Sequence, residues 1–131
     1  MKVTADTNLL CRLVLDDDLE QKQLVARAFA AAEAIVIVAA SLCEVVWVLK
    51  SRHGLTSDDI RRLLLKLLLI PRIDVDRTAV DAGLDLLQAG GDFADGLIAL
   101  DGRRRGGTVF LTFDRRAIQR LRRLGFLARS P

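Results

Sequence analysis

Met1-Lys2-Val3-Thr4-Ala5-Asp6-Thr7-Asn8 opens the chain and decides how the rest is read. Val3 and Ala5 alternate with polar neighbours as in a short strand, and Leu9, Leu10, Leu13 and Val14 then recur at helical spacing. Asp6 therefore falls where a strand turns into a helix. In open parallel α/β sheets, ligands gather outside that edge, where helix N-termini point at whatever is bound. Asp6 also reads as the cap of the helix it precedes, an ordinary use of Asp. Its company elsewhere in the chain decides between the two.

The same alternation of strand and helix signals continues outward. Asp16-Asp17-Asp18 reads as a turn whose last acid caps a helix over residues 19–33, with Leu24, Val25, Ala28 and Phe29 as its inner stripe. Ile35-Val36-Ile37-Val38 is continuous and β-branched, which predicts a strand covered on both faces. Helices are predicted over 42–52, ending near Gly54, and over 58–69, stopped by Pro71. A strand over 72–76 follows. A helix over 78–88 should turn Val80, Gly83, Leu84 and Leu87 inward and Asp81, Asp85 and Gln88 outward. Asp92 opens a helix to about 104, and a strand over 108–112 runs into Asp114 and a last helix over 115–123, with Ile118 and Leu121 inward. Parallel strands need crossovers, so this order predicts a three-layer α/β/α sandwich with a central parallel sheet of four to five strands. The first strand is expected in its middle.

At 131 residues and 51% apolar composition, the chain has the size of a single domain over 1–131 with a full core. Its longest nearly apolar run, residues 63–70, is interrupted by Lys66 and too short to span a bilayer, and no secretory leader is visible, so the cytoplasm is the expected location. Cys11 and Cys43 sit in apolar helical patterns as reduced core thiols, and the one histidine, His53, reads as a surface residue near a helix end. Charge is lopsided. Residues 1–100 carry 11 basic and 15 acidic side chains, and residues 101–131 carry 9 and 2, for a net charge of +3. Sixteen of the 20 basic residues are Arg, which forks onto phosphate. Either a polyanion partner or a solvated helix face accounts for this.

Asp114 repeats the placement of Asp6: strand, acid, helix. Asp92-Phe93-Ala94-Asp95 opens its helix with one acid as cap and another in the first turn, which also complements the dipole. Ser41-Leu42-Cys43-Glu44 reads as a capping box, yet the apolar neighbours of Glu44 (Leu42, Cys43, Val45, Val46, Trp47) predict a helix buried on most sides. A buried carboxylate without a counter-ion is costly. Asp6, Glu44, Asp95 and Asp114 all fall at helix starts, and like charges drawn to one edge oppose folding unless they share a cation. The hard cation suited to carboxylate and phosphate oxygens is Mg²⁺, with Mn²⁺ as substitute.

Asp6-Thr7-Asn8, Glu44 in the helix after the second strand, Asp92-Phe93-Ala94-Asp95-Gly96-Leu97-Ile98-Ala99 and Thr112-Phe113-Asp114 together resemble the four motifs of PIN-domain ribonucleases, especially VapC-type toxins of toxin-antitoxin pairs. The resemblance covers essentially the whole chain. It implies that Asp6, Glu44, Asp95 and Asp114 are catalytic and metal-binding, that Asn8 and Thr112 support them, and that Asp92 is a further acid. It implies Mg²⁺-dependent cutting of structured RNA, such as tRNA or rRNA, by a homodimer restrained by a VapB-type antitoxin. The pattern departs at Gly96, where many relatives carry Ala; glycine lowers helix propensity there and should loosen the helix.

Arg103, Arg104, Arg105, Arg115 and Arg116 flank two of the acid-bearing segments and are candidates for gripping the RNA backbone. The apolar helix around residues 61–70 either packs deeply or meets another chain. A response-regulator-like phosphoacceptor domain would need an adjacent acid pair after the first strand and a late Lys. Thr7 follows Asp6, and no Lys occurs after Lys66. A non-catalytic RNA-binding relative would not need the acids, and flap-type DNA nucleases generally have longer chains.

Overall fold

The computed structural model describes residues 1–131 as β1 (Lys2–Thr4), α1 (Thr7–Val14), α2 (Leu19–Ala31), β2 (Ala34–Val36), α3 (Ala39–Ser51), α4 (Ser57–Leu68), β3 (Ile73–Asp74), α5 (Arg77–Gln88), α6 (Phe93–Arg104), β4 (Phe110–Leu111), α7 (Arg115–Arg123) and β5 (Ala128–Arg129). The alternation places the chain in the parallel α/β class. It divides into two compact units, Met1–Asp76 and Arg77–Pro131. Each carries its own parallel sheet, three strands in the first and two in the second. No helix is long and apolar enough to cross a membrane.

In the first unit the order is β1-β2-β3, with Val3 beside Ile35 and Ile35 beside Ile73. Within this three-stranded sheet β2 lies between β1 and β3, because the crossovers through α1–α2 and α3–α4 both step in the same direction. Coverage of β2 also differs from the expected two-sided burial. Ile35 and Ile37 are buried while Val36 is half-buried and Val38 exposed, a period of two.

Local capping chemistry sets most helix starts. Asp6 Oδ1 accepts from Leu9 N at 2.9 Å, and Asp18 Oδ1 accepts from Gln21 N at 3.0 Å. Helix α2 closes two residues earlier than expected, and its inner stripe narrows to Val25 and Phe29, with Leu24 and Ala28 turned outward. Arg72, held at φ 68, donates through Nη2 to Ala30 O at 3.0 Å and so satisfies one of the last carbonyls of α2.

Helix α3 begins three residues before the expected Leu42. Ser41 therefore lies inside its first turn and cannot cap it; the N-cap is Val38, with no side-chain hydrogen bond. The capping-box reading of Ser41 and Glu44 is thus corrected, and so is the buried-helix reading. Leu42, Val45, Val46 and Leu49 point inward, whereas Glu44 and Trp47 are exposed. The capping box belongs to α4, where Asp59 N donates to Thr56 Oγ1 at 3.1 Å and Thr56 N to Asp59 Oδ2 at 3.4 Å. Only Ile60, Leu64 and Leu67 of the apolar helix are fully buried, and Leu69 is 80% exposed.

The second unit is built on the close packing of α5 and α6. Val80, Gly83, Leu84 and Leu87 face inward as expected. A Cβ on Gly83 would come within 2.7 Å of the Phe93 ring, and one on Gly96 within 2.4 Å of the Ala82 carbonyl oxygen. Gly96 is therefore no weak point of the helix: only glycine lets α6 approach the backbone of α5 this closely. Helix α7 has the expected bounds, burying Ala117, Ile118 and Leu121. Arg122 Nε donates to Ala128 O at 2.9 Å, which ties α7 to β5.

Candidate active site

In the first unit, Asp6 spends one carboxylate oxygen on its cap and is exposed at the end of β1. Thr7 Oγ1 donates to Glu44 Oε2 at 2.6 Å, joining the start of α1 to the first half of α3 across 37 residues. A hydrogen bond to a charged acceptor is among the stronger kinds, so Thr7, the residue after Asp6, fixes the Glu44 carboxylate. Thr7, which was not among the expected supporting residues, thus holds one of the acids. Asn8 is exposed and lines a recess together with Cys11 and Arg12. Nothing local in the sequence announces a contact spanning 37 positions.

In the second unit, Asp92 Oδ1 accepts from Ala94 N at 2.9 Å as the cap of α6. Asp114 Oδ1 accepts from Arg116 N at 3.0 Å and Ala117 N at 3.1 Å as the cap of α7. Thr112 Oγ1 accepts from Asp114 N at 3.0 Å and so shapes the turn that presents this acid. Asp95 sits half-buried in the first turn of α6. Burial pushes its carboxyl above the usual range, and the charges of Asp92 and Asp114 push the same way. Asp95 therefore senses both neighbouring charges. Ile98 is 56% exposed; α6 packs through Phe93, Gly96, Leu97, Ala99 and Leu100.

The arginines expected to grip RNA are all exposed. Arg103 lays its guanidinium 4.2 Å from the Phe126 ring centroid, and Arg105 lies 4.0 Å from Asp101. Arg115 and Arg116 open α7 directly after Asp114. Cys11 is buried, which raises its thiol pKa, and Cys43 is half-buried.

Ion pairing divides the acids, though not along the line of the candidates: Asp18, Glu20, Asp58, Asp74, Asp85 and Asp92 also lack a Lys or Arg partner. Asp16, Asp17, Asp59, Asp81 and Asp101 each face a Lys or Arg. Asp6, Glu44, Asp95 and Asp114 form no ion pair. In neither unit do three His, Cys, Asp or Glu side chains close into a ready metal cage. Carboxylates that repel one another gather closely only around a cation, and those capping helices are held apart by their own backbones. The donor chemistry fits a hard divalent ion: oxygen ligands only, and in Asp95 a carboxylate whose ionisation its surroundings resist.

Parallel sheets and helices opened by Asp define a parallel α/β protein with carboxylates at several helix starts. The family model of the PIN domain matches residues 3–124, and the chain belongs to the PIN-domain family. PIN domains are generally nucleases and typically use divalent metal ions. No curated protein matches the chain.

Proposed function

We propose that this PIN-domain protein is a Mg²⁺-dependent endoribonuclease, the VapC-type toxin of a type II toxin-antitoxin pair, cutting structured RNA such as tRNA or rRNA in the cytoplasm. The observation that carries the reading is the PIN-domain match over residues 3–124; by resemblance Asp6, Glu44, Asp95 and Asp114 are the family's acids, and none of the four forms an ion pair. These are the residues that would hold Mg²⁺, or Mn²⁺ in its place. Bound there, the ion would acidify a water and offset the charge that develops on the phosphodiester. The chain's own groups do the rest. Thr7 orients Glu44, Thr112 sets the turn of Asp114, and Asp92 adds negative charge beside Asp95. Arg103, Arg104, Arg105, Arg115 and Arg116 draw in the RNA backbone by charge. The protein works as a homodimer, and a VapB-type antitoxin restrains it by covering the acids.

Inducible expression in a bacterium tests the reading, with wild type beside Asp6→Asn and Asp95→Asn. Wild type should stop growth and fragment RNA, and both variants should be inert. Purified wild type should cleave RNA in Mg²⁺ and stop when EDTA is added. Purified wild type that leaves RNA intact in both Mg²⁺ and Mn²⁺ removes the proposal.

A further inference from the structure

Trp47 is the only tryptophan in a chain that has no tyrosine. A ring of this size is normally well covered, yet 58% of Trp47 is exposed. It follows Glu44 by three positions on α3, so the two side chains rise from one face of the helix a turn apart. Arg52 carries its guanidinium 5.7 Å from the Trp47 ring centroid, within cation–π range. Arg52 also borders a recess of about 230 Å³, shared with Thr7, Arg12, Val48 and His53. That is room for several groups of water size at roughly 30 Å³ each. Arg12 Nη1 donates to both carboxylate oxygens of Asp17 at 3.0 Å, and the buried Arg12 Nε has no acceptor. One surface of the first unit thus presents, side by side, a candidate catalytic acid, an open aromatic ring and a recess edged with donors.

A protein partner would need a contiguous apolar patch around such a ring. The exposed neighbours of Trp47 along α3 are Glu44, Lys50, Ser51 and Arg52, all polar. Exposed aromatic rings set among cations suit nucleic-acid bases, because every base has a face to stack and its phosphates seek the cations. A base inside a duplex is already stacked on its neighbours and cannot reach the ring.

We infer that this surface is a subsite for single-stranded nucleic acid, with an unpaired base stacked on Trp47 and the adjoining phosphate received by Arg52 at the mouth of the recess. The inference rests on the nuclease reading of Glu44. It makes Trp47 a substrate-binding residue.

Because Trp47 is the sole indole, its fluorescence reports on this ring alone. The full chain in EDTA, where nothing is cut, is titrated with a short oligouridylate and with an RNA duplex of equal length. The single strand should quench the emission saturably and the duplex should not. Anisotropy of a labelled oligouridylate should show Trp47→Ala binding about tenfold more weakly, with Trp47→Phe recovering most of the loss. Matching melting curves establish that the variants fold. Equal binding by wild type and Trp47→Ala overturns the subsite, as does equal quenching by the duplex. A change of emission on diluting the protein alone also overturns it, since a second copy of the chain then covers the ring. Cleavage in Mg²⁺ is scored separately: wild type that cuts RNA while Trp47→Ala binds normally keeps the nuclease reading and loses the subsite.

Discussion

Replacing Gly96 by alanine should weaken the protein, against what helix propensity alone predicts. In a helix interior alanine is favoured over glycine by about 1 kcal/mol. An added Cβ at position 96 would stand 2.4 Å from the Ala82 carbonyl oxygen and 2.8 Å from both the Ala82 carbonyl carbon and Gly83 Cα. Carbon settles against a carbonyl oxygen at about 3.3 Å or more, so α5 and α6 would have to part by roughly 0.9 Å. The obstacle is backbone, which cannot rotate away as a side chain can. Overpacking costs typically about 1–3 kcal/mol, and the rigid obstacle argues for the upper end. Less the gain in propensity, about 2 kcal/mol of destabilisation remains. With an unfolding entropy of roughly 2.1 cal/mol/K per residue, Tm should fall by about 7 °C. Thermal unfolding followed by circular dichroism, at one protein concentration and without divalent metal, reads the change. Gly102→Ala is the internal control. It lies in the same helix and its Cβ would meet nothing within 4 Å, so its Tm should rise. If Gly96→Ala melts at or above the wild-type temperature, the close-packing argument is wrong.

Asp95→Asn tests the electrostatics without relying on activity. The folded-state pKa of Asp95 is raised, so its ionised form detracts from stability, and that loss sets in as pH climbs through the raised value. Without metal the variant should melt higher than wild type at neutral pH and lose its advantage in acid; added Mg²⁺ should raise the Tm of wild type more than that of the variant. A variant that melts lower than wild type at neutral pH would refute this. Thr7→Val removes the donor to Glu44 with little change of shape, and RNA cleavage should drop by about tenfold, less than with Glu44→Gln; unchanged cleavage means that Thr7 positions nothing of consequence. Thr56→Ala should cost about 1 kcal/mol by opening the capping box of α4. Asp59, whose carboxyl is held below its usual range by Thr56 and then by Arg62, contributes stability above its unfolded pKa that is lost as pH falls through the folded one. The wild-type margin over Thr56→Ala in melting temperature should therefore shrink in acid.

What was legible in the sequence is what neighbours a few positions apart decide. Asp6, Asp18, Asp92 and Asp114 each cap the helix that follows, because a short acid before an apolar-periodic run meets the free amides of the first turn whatever lies elsewhere. The bounds of α7, the inward face of α5 and the parallel α/β class followed from equally local patterns. The tertiary structure decided whatever depends on surfaces that meet across long stretches of chain. The start of α3 at Ala39 has no side-chain cap to announce it, and that shift moved Glu44 from a buried capping box to an exposed carboxylate held by Thr7. One-sided coverage of β2 depends on which helices lie against the sheet, which its own residues do not specify. Gly96 looked like a defect while only its own helix was considered, and became a requirement once the backbone of α5 lay against it, because a close approach is a property of two segments and neither encodes it alone.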